Sequence, residues 1–254
     1  MILEEAIEHT VEEENYFISM TDMMVGLVFI FIVLLMYFAL QFRDVTEQLS
    51  GADKTRTEIL KQLEQTLKSK GVQVTIDTQN GVLRLPDAIL FDSARAELKP
   101  AGQVAIGHLA EALNDVLPCY TDLPDPKAIR PARCPDTPHR IESLYIEGHT
   151  DDVPLTAGFQ FKDNWDLSVV RATNTYRALV GMSSELGDRC ARKKGECDPI
   201  LSVSGYGPKR PVMDMRGTPD ERRQRDRRID LRILMVTPDS GQTVRAVAER
   251  LARK

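Results

Sequence analysis

Residues 23–40 read MMVGLVFIFIVLLMYFAL, an unbroken apolar run relieved only by Gly26. With its weakly polar flanks the stretch covers 16–42. A helix of about 18–27 residues rises roughly 27–40 Å, enough to cross a bilayer. A cleavable signal peptide fits badly, because the segment has neither the leading positive charge nor the small-residue cleavage site. No early cysteine offers a place for a lipid. One membrane helix over 16–42 is therefore expected.

The charge around this span is segregated. No Lys or Arg precedes Arg43, while Glu4, Glu5, Glu8, Glu12, Glu13 and Glu14 crowd an acidic tail over 1–15. Positive residues follow the span at Arg43, Lys54 and Arg56. Taken alone, the positive-inside rule would leave the C-terminal side in the cytoplasm. That rule weakens for long exported domains, and four cysteines in the C-terminal half point outward, so an N-terminus inside is expected. A net charge of -5 gives no reason to expect nucleic acid as a partner.

Asp22 is the only acidic or basic side chain between Glu14 and Arg43. A carboxylate inside a membrane costs about 3 kcal/mol at mid-depth and less near the surface. Apolar surroundings favour the neutral acid and water favours the carboxylate, which is the behaviour an ion carrier needs. Ser19 and Thr21 stand beside it as hydrogen-bonding aids. The competing reading is a helix cap, since Ser-x-Thr-Asp is also a capping pattern. Tyr16, Phe17 and Ile18 continue the apolar character upstream and favour an earlier helix start.

Residues 43–70 read as a helical linker. Val45, Leu49, Ala52, Ile59, Leu63 and Leu67 recur at helical spacing with Arg56 breaking the stripe, a seam suited to a parallel coiled coil or to packing on the following domain. Gly71 ends it. The domain over 71–254 is expected to run β-β-α-β-α-β and then a last strand. Its strands fall at 72–77, 82–85, 144–147, 200–204 and 227–236, its helices at 100–116 and 166–180, and a short helix closes the chain. Asn80-Gly81 marks a hairpin. Residues 118–140, rich in proline, form a surface insertion. The fold class is α+β: a single N-terminal transmembrane helix, a helical linker, then a two-layer sandwich domain.

Cys119, Cys134, Cys190 and Cys197 are even in number. In an exported domain two disulfides are expected, most simply Cys119–Cys134 and Cys190–Cys197, with the other pairings open. No C-x-x-C pair is present, so no metal site is expected.

Four segments in order, IEGHTDDVPL, NWDLSVVRA, LSVSGYGPKRPV and RRIDLRI, with LFDSARAEL upstream, resemble the OmpA-like peptidoglycan-binding domain over about residues 72–236. The resemblance implies an OmpA-like βαβαβ sandwich. It also implies that Asp151 and Arg171 hold the ammonium and carboxylate of a meso-diaminopimelate stem peptide. A zwitterion calls for one fixed anion and one planar cationic fork. Thr150, Asn164 and Leu167 would shape the pocket. Arg228 falls on the family's basic position, with the usual companion Asn replaced by Asp226 or Arg227. His149 and Asp152 suggest a metal, but the motif explains His149 as a turn residue. No nucleophile–base pair points to an enzyme.

A lone Asp in a single N-terminal span ahead of such a domain resembles the B subunits of ion-driven stators such as MotB. That family implies an inner-membrane protein with its domain in the periplasm. It implies a dimer of this chain inside a ring of polytopic MotA-like subunits, with protons rather than sodium ions passing Asp22 and no cofactor. Within the class, FISMTDMMVGLVFIFIVLLMYFALQF resembles the ZorB subunits of Zorya anti-phage systems, whose partner is ZorA, while the acidic tail and the Pro/Cys-rich insertion are unlike a motility MotB. A flagellar stator subunit and a passive wall anchor are the alternatives.

Overall fold

The computed structural model describes residues 2–237 apart from 126, 156–159, 194 and 215, and their side chains apart from those of 2–19, 44, 48 and 193. Contacts divide the chain after Ser50 into two compact units. The terminal helix expected beyond residue 237 lies outside the described residues.

The first helix, α1 (Ile2–Ser69), runs without a break through what the sequence divides into tail, span and linker. The reason is an absence of stops. No proline precedes Pro86, and Gly26 and Gly51 are isolated, each costing about 1 kcal/mol relative to Ala. Residues 20–40 are exposed all round, and this helix is long and apolar enough to cross a membrane.

The second unit begins at Gly51, so the last five turns of α1 belong to the domain rather than to a linker. Ala52, Thr55, Ile59, Leu60, Leu63 and Leu67 are buried. Thr55 completes the stripe that Arg56 had seemed to break, and Arg56 turns away to Asp53 at 3.0 Å and the Gln79 carbonyl. The apolar members share one core with Ile106, Leu109 and Leu113, and burial of each Leu or Ile contributes about 2 kcal/mol. Val45 and Leu49 stay exposed at 36% and 46%.

After α1 come β1 (Thr75–Asp77), β2 (Val82–Pro86), α2 (Asp87–Leu90) and α3 (Pro100–Val116). A 3-10 turn at Leu117–Cys119 leads into the insertion. Then follow β3 (Ile141–His149), α4 (Asn164–Met182), α5 (Ser184–Asp188), β4 (Cys190–Lys193), β5 (Glu196–Pro199), β6 (Leu201–Gly205), α6 (Pro219–Asp226) and β7 (Arg228–Met235). One sheet takes the order β1-β2-β7-β3-β6, with β3 and β6 parallel and the other pairs antiparallel. Helix α4 packs on β3 and β6 with α3 beside it, the α+β arrangement expected. Gly81 turns the first hairpin at φ +69, and Asp77 braces it by accepting from the Asn80 backbone and side chain.

The β4–β5 hairpin is a separate two-stranded sheet that the sequence pattern does not announce. Its residues mix apolar and charged side chains without alternating, and among the described side chains only Cys190 and Ala191 are buried. The Cys190–Cys197 disulfide ties its two strands together, and Cys119–Cys134 closes the insertion.

Candidate functional site

Strand β3 carries the GHTD segment to the N-terminus of α4. The approach is close because Gly148 has no side chain: a Cβ there would stand 2.0 Å from the Ser168 carbonyl oxygen. That oxygen belongs to helix backbone and cannot step aside alone. Gly148→Ala is therefore expected to lower domain stability by about 2–3 kcal/mol in chemical denaturation, while Gly181→Ala, with open space around it, changes little.

Beyond β3 the chain turns into a cavity of about 460 Å³ lined by Thr150, Asp151, Asn164, Leu167 and Arg171. Five of the six wall-binding residues expected from the sequence thus converge. Asp163 starts α4 by accepting from the Trp165 and Asp166 backbone N–H groups. This fixes Asn164, whose Nδ2 donates to the carbonyls of Asp151 and Val153 at 3.2 and 2.8 Å and clamps the loop. Leu167 is 3% exposed and forms the apolar floor. The Thr150 hydroxyl is buried without a hydrogen-bond partner among the described residues.

Arg171 is not a surface residue. It is 2% exposed. Its Nε donates to the Arg95 carbonyl at 2.8 Å, Nη2 to the Asp92 carbonyl at 3.2 Å and Nη1 to Asp87 Oδ2 at 3.1 Å. The guanidinium also lies 5.1 Å from the Phe91 ring centroid. A guanidinium has five N–H donors, so two remain for a ligand in the cavity. The LFDSARAEL segment is thereby explained: it wraps Arg171 and brings Ser93 and Ala94 to the rim, Ala94 at φ +54. Burial pulls the Arg171 guanidinium down, with Asp87 acting against it. Burial likewise pushes the Asp87 carboxyl up, with the Arg171 and Arg227 charges acting against that.

The sixth expected residue is corrected. Arg228 does not line the cavity. It is 6% exposed and pairs with Asp230 at 3.0 Å. Its neighbour Arg227 takes the expected place, reaching Asp151 Oδ2 through Nη1 at 2.5 Å and Asp87 at 3.9 Å. Adjacent residues at a strand start face opposite sides, so a shift of one position exchanges inside for outside. Asp87 and Arg227 were missed by sequence reasoning. The signal available was the Asp at the end of β2, a strand that pairs with β7 beside both. Asp220 and Arg223 of α6 complete the rim, with Arg223 also 3.3 Å from Asp152.

The chain Asp151–Arg227–Asp87–Arg171 holds two carboxylates and two guanidiniums. Its charge sums to zero, with an anion and a cation both facing one cavity. Such a site is complementary to a zwitterion.

His149 is a strand residue rather than a turn residue, closing β3 opposite Arg228 of β7. It is 2% exposed beside Glu147 and Asp230. The three offer ligand atoms within 4.8 Å of one another. Arg232 grips both oxygens of Glu147, and Arg228 both of Asp230. Those carboxylates are neutralised by arginines, so the cluster is a buried ion network rather than a vacant ligand set. Burial pushes the Glu147 carboxyl up, but the His149 ring and Arg232 outweigh it and hold it at about 2. An acid depressed in the folded state contributes stability above its ordinary value of 4.5 that is lost as pH falls toward 2. Acid titration of the melting transition is expected to show a loss on the order of 3 kcal/mol across that window. Glu147→Gln should flatten it.

Asp22 lies well inside α1, whose first residue is Ile2, and it is exposed. It therefore does not cap the helix. Thr21 has interactions of its own, and the Ser19 side chain lies outside the described residues.

No family model matches the chain. The chain is 27% identical over 189 residues to motility protein B of Bacillus subtilis, covering 72% of this chain and 58% of that protein. Among solved structures, a putative MotB-like protein from Desulfovibrio vulgaris is 24% identical. It covers 76% of this chain and 98% of its own, with a TM-score of 0.47. The cell wall anchor of the T6SS from Pseudomonas aeruginosa is 20% identical, covering 72% and 99%, with a TM-score of 0.44. By sequence, then, the chain is similar to motility protein B along most of its length.

Proposed function

We propose that the chain is the wall-anchored B subunit of an ion-driven inner-membrane stator that acts in anti-phage defence. The observation that carries this reading is the pairing, in one chain, of a lone carboxylate inside an exposed apolar helix with a zwitterion-complementary cavity. Ion flow past Asp22 yields torque only against something fixed, and the cavity supplies the fixture by holding the diaminopimelate end of a peptidoglycan stem peptide.

Two disulfides support a domain outside the cytoplasm. That placement leaves the N-terminus inside. The partners would be a second copy of this chain, a ring of MotA-like or ZorA-like polytopic subunits, and peptidoglycan; the ion would be H+. The defence role rests on the likeness of the membrane segment to ZorB subunits and on an acidic tail and an insertion that are unlike a motility MotB. A flagellar stator is the second reading, favoured by the similarity to motility protein B. Deleting the gene from its native cluster separates the two. The defence reading expects phage plating to rise to that of unprotected cells with swimming unchanged. Lost swimming with unchanged plating overturns it in favour of motility.

A further inference from the structure

A second cavity, of about 340 Å³, opens where the insertion meets the β4–β5 hairpin. The two elements are zipped together: Asp122 N donates to the Cys190 carbonyl at 2.8 Å, and Cys190 N donates back to the Asp122 carbonyl at 3.0 Å. Each is closed by its own disulfide. The junction is thus a cross-linked wall.

Four arginines line this cavity: Arg130 from the insertion, Arg140 at the entry to β3, Arg189 ahead of β4 and Arg192 within it. Three carboxylates, Asp122, Asp125 and Glu185, also line it, so four charges against three leave one positive in excess. Among the described residues, Arg130, Arg140 and Arg192 form no ion pair. They are instead tied to backbone carbonyls: Arg130 by one branch to Pro135 at 2.8 Å, Arg140 by one branch to Thr137 and His139 at 2.9 and 3.1 Å, and Arg192 by both branches, to Leu123 at 2.8 Å and Gly195 at 3.4 Å. Such tethers fix a guanidinium, and because it carries five N–H donors they leave others free to bind.

Arg189 is the informative member. It is 5% exposed and its Nε has no hydrogen-bond partner among the described residues. Among the described residues its ion-pair partner is Glu185, itself 63% exposed, at 3.6 Å. Burial pulls the Arg189 guanidinium down. Burial and then the charge of Arg130 pull Arg140 down, and Asp122 restores part of it. Removing a cation from water and setting like charges beside it is costly unless an anion enters.

We propose that this cavity binds a phosphate group, held by Arg130, Arg140, Arg189 and Arg192. A carboxylate has two oxygens to share among four guanidiniums, whereas a phosphate has more oxygens and more charge. The group could arrive as the free ion or as a monoester on a larger molecule.

Calorimetric titration of the full chain in detergent at constant ionic strength tests this, with inorganic phosphate in one arm and glycerol 3-phosphate in the other. Saturable binding at one site per chain is expected, weakened at least tenfold in the Arg130→Gln/Arg192→Gln double variant. Arg133→Gln, an exposed change in the same insertion but off the cavity, should leave it unchanged. Should the double variant melt early, Arg192→Gln alone, at an exposed position, still gives the answer. Binding in both arms supports a site for the terminal phosphate of a larger molecule; binding of inorganic phosphate alone supports a site for the free ion. Absence of saturable binding in either arm overturns the proposal. So does binding that survives loss of the arginines, or binding that Arg133→Gln weakens equally.

Discussion

Asp151→Ala is expected to remove the full chain from the pellet when it is sedimented with purified sacculi. A charge-assisted hydrogen bond to an ammonium group is worth about 2–3 kcal/mol, so affinity should fall roughly 30- to 150-fold. The fold should survive. Asp151 Oδ1 accepts from the Val153 backbone at 3.2 Å, and Oδ2 meets Arg227. The Arg227 side chain is already 38% exposed, so once released it stays hydrated. Arg171→Ala is a poorer test, because Arg171 also holds the Asp92 and Arg95 carbonyls and so stabilises the loop it faces. Asp87→Ala isolates that structural role. It strands a guanidinium only 2% exposed without its closest counter-ion, a loss of about 3–5 kcal/mol. Sacculus binding by a folded Asp151→Ala protein at the wild-type level would remove the cavity from the wall-binding role.

Asp22→Asn is expected to reduce phage protection, in cells carrying the native gene cluster at equal protein abundance, to that of cells lacking the gene. Asparagine keeps the shape of the side chain but cannot take up and release a proton. The alternative explanation, a lost helix cap, would cost about 1 kcal/mol of helix stability. The position of Asp22 far inside α1 removes it. Asp22→Glu restores the exchangeable proton one methylene further out and should recover part of the output. Full protection by Asp22→Asn would make the chain a passive wall anchor.

The two sites differ in how legible they were. Asp22 was visible because a single charge in an apolar run is a local fact. Asp151, Arg171, Thr150, Asn164 and Leu167 were visible because two contiguous motifs carry them, one at the end of β3 and one at the start of α4. Arg227 was not, because choosing between it and Arg228 needs the register of β7 against β3 and β2, and one residue reverses the face. Asp87 was invisible for a related reason. It joins Arg171 across 84 positions in sequence, and only the sheet brings the end of β2 beside α4.

The sequence by itself determined what depends on local periodicity and composition. That includes a helix apolar enough for a membrane, the strand and helix order of the main sheet, and cysteines placed for two short loops. Tertiary structure decided the rest. The stripe from Ala52 to Leu67 suits a partner helix or a domain core equally well, and the presence of Ile106, Leu109 and Leu113 opposite it settles the matter within this chain. The β4–β5 hairpin has no periodicity to read, since its buried residues, Cys190 and Ala191, are adjacent rather than alternating and a disulfide and cross-strand bonds hold the rest. The charge chain and the arginine-lined cavity exist only where distant backbone segments meet.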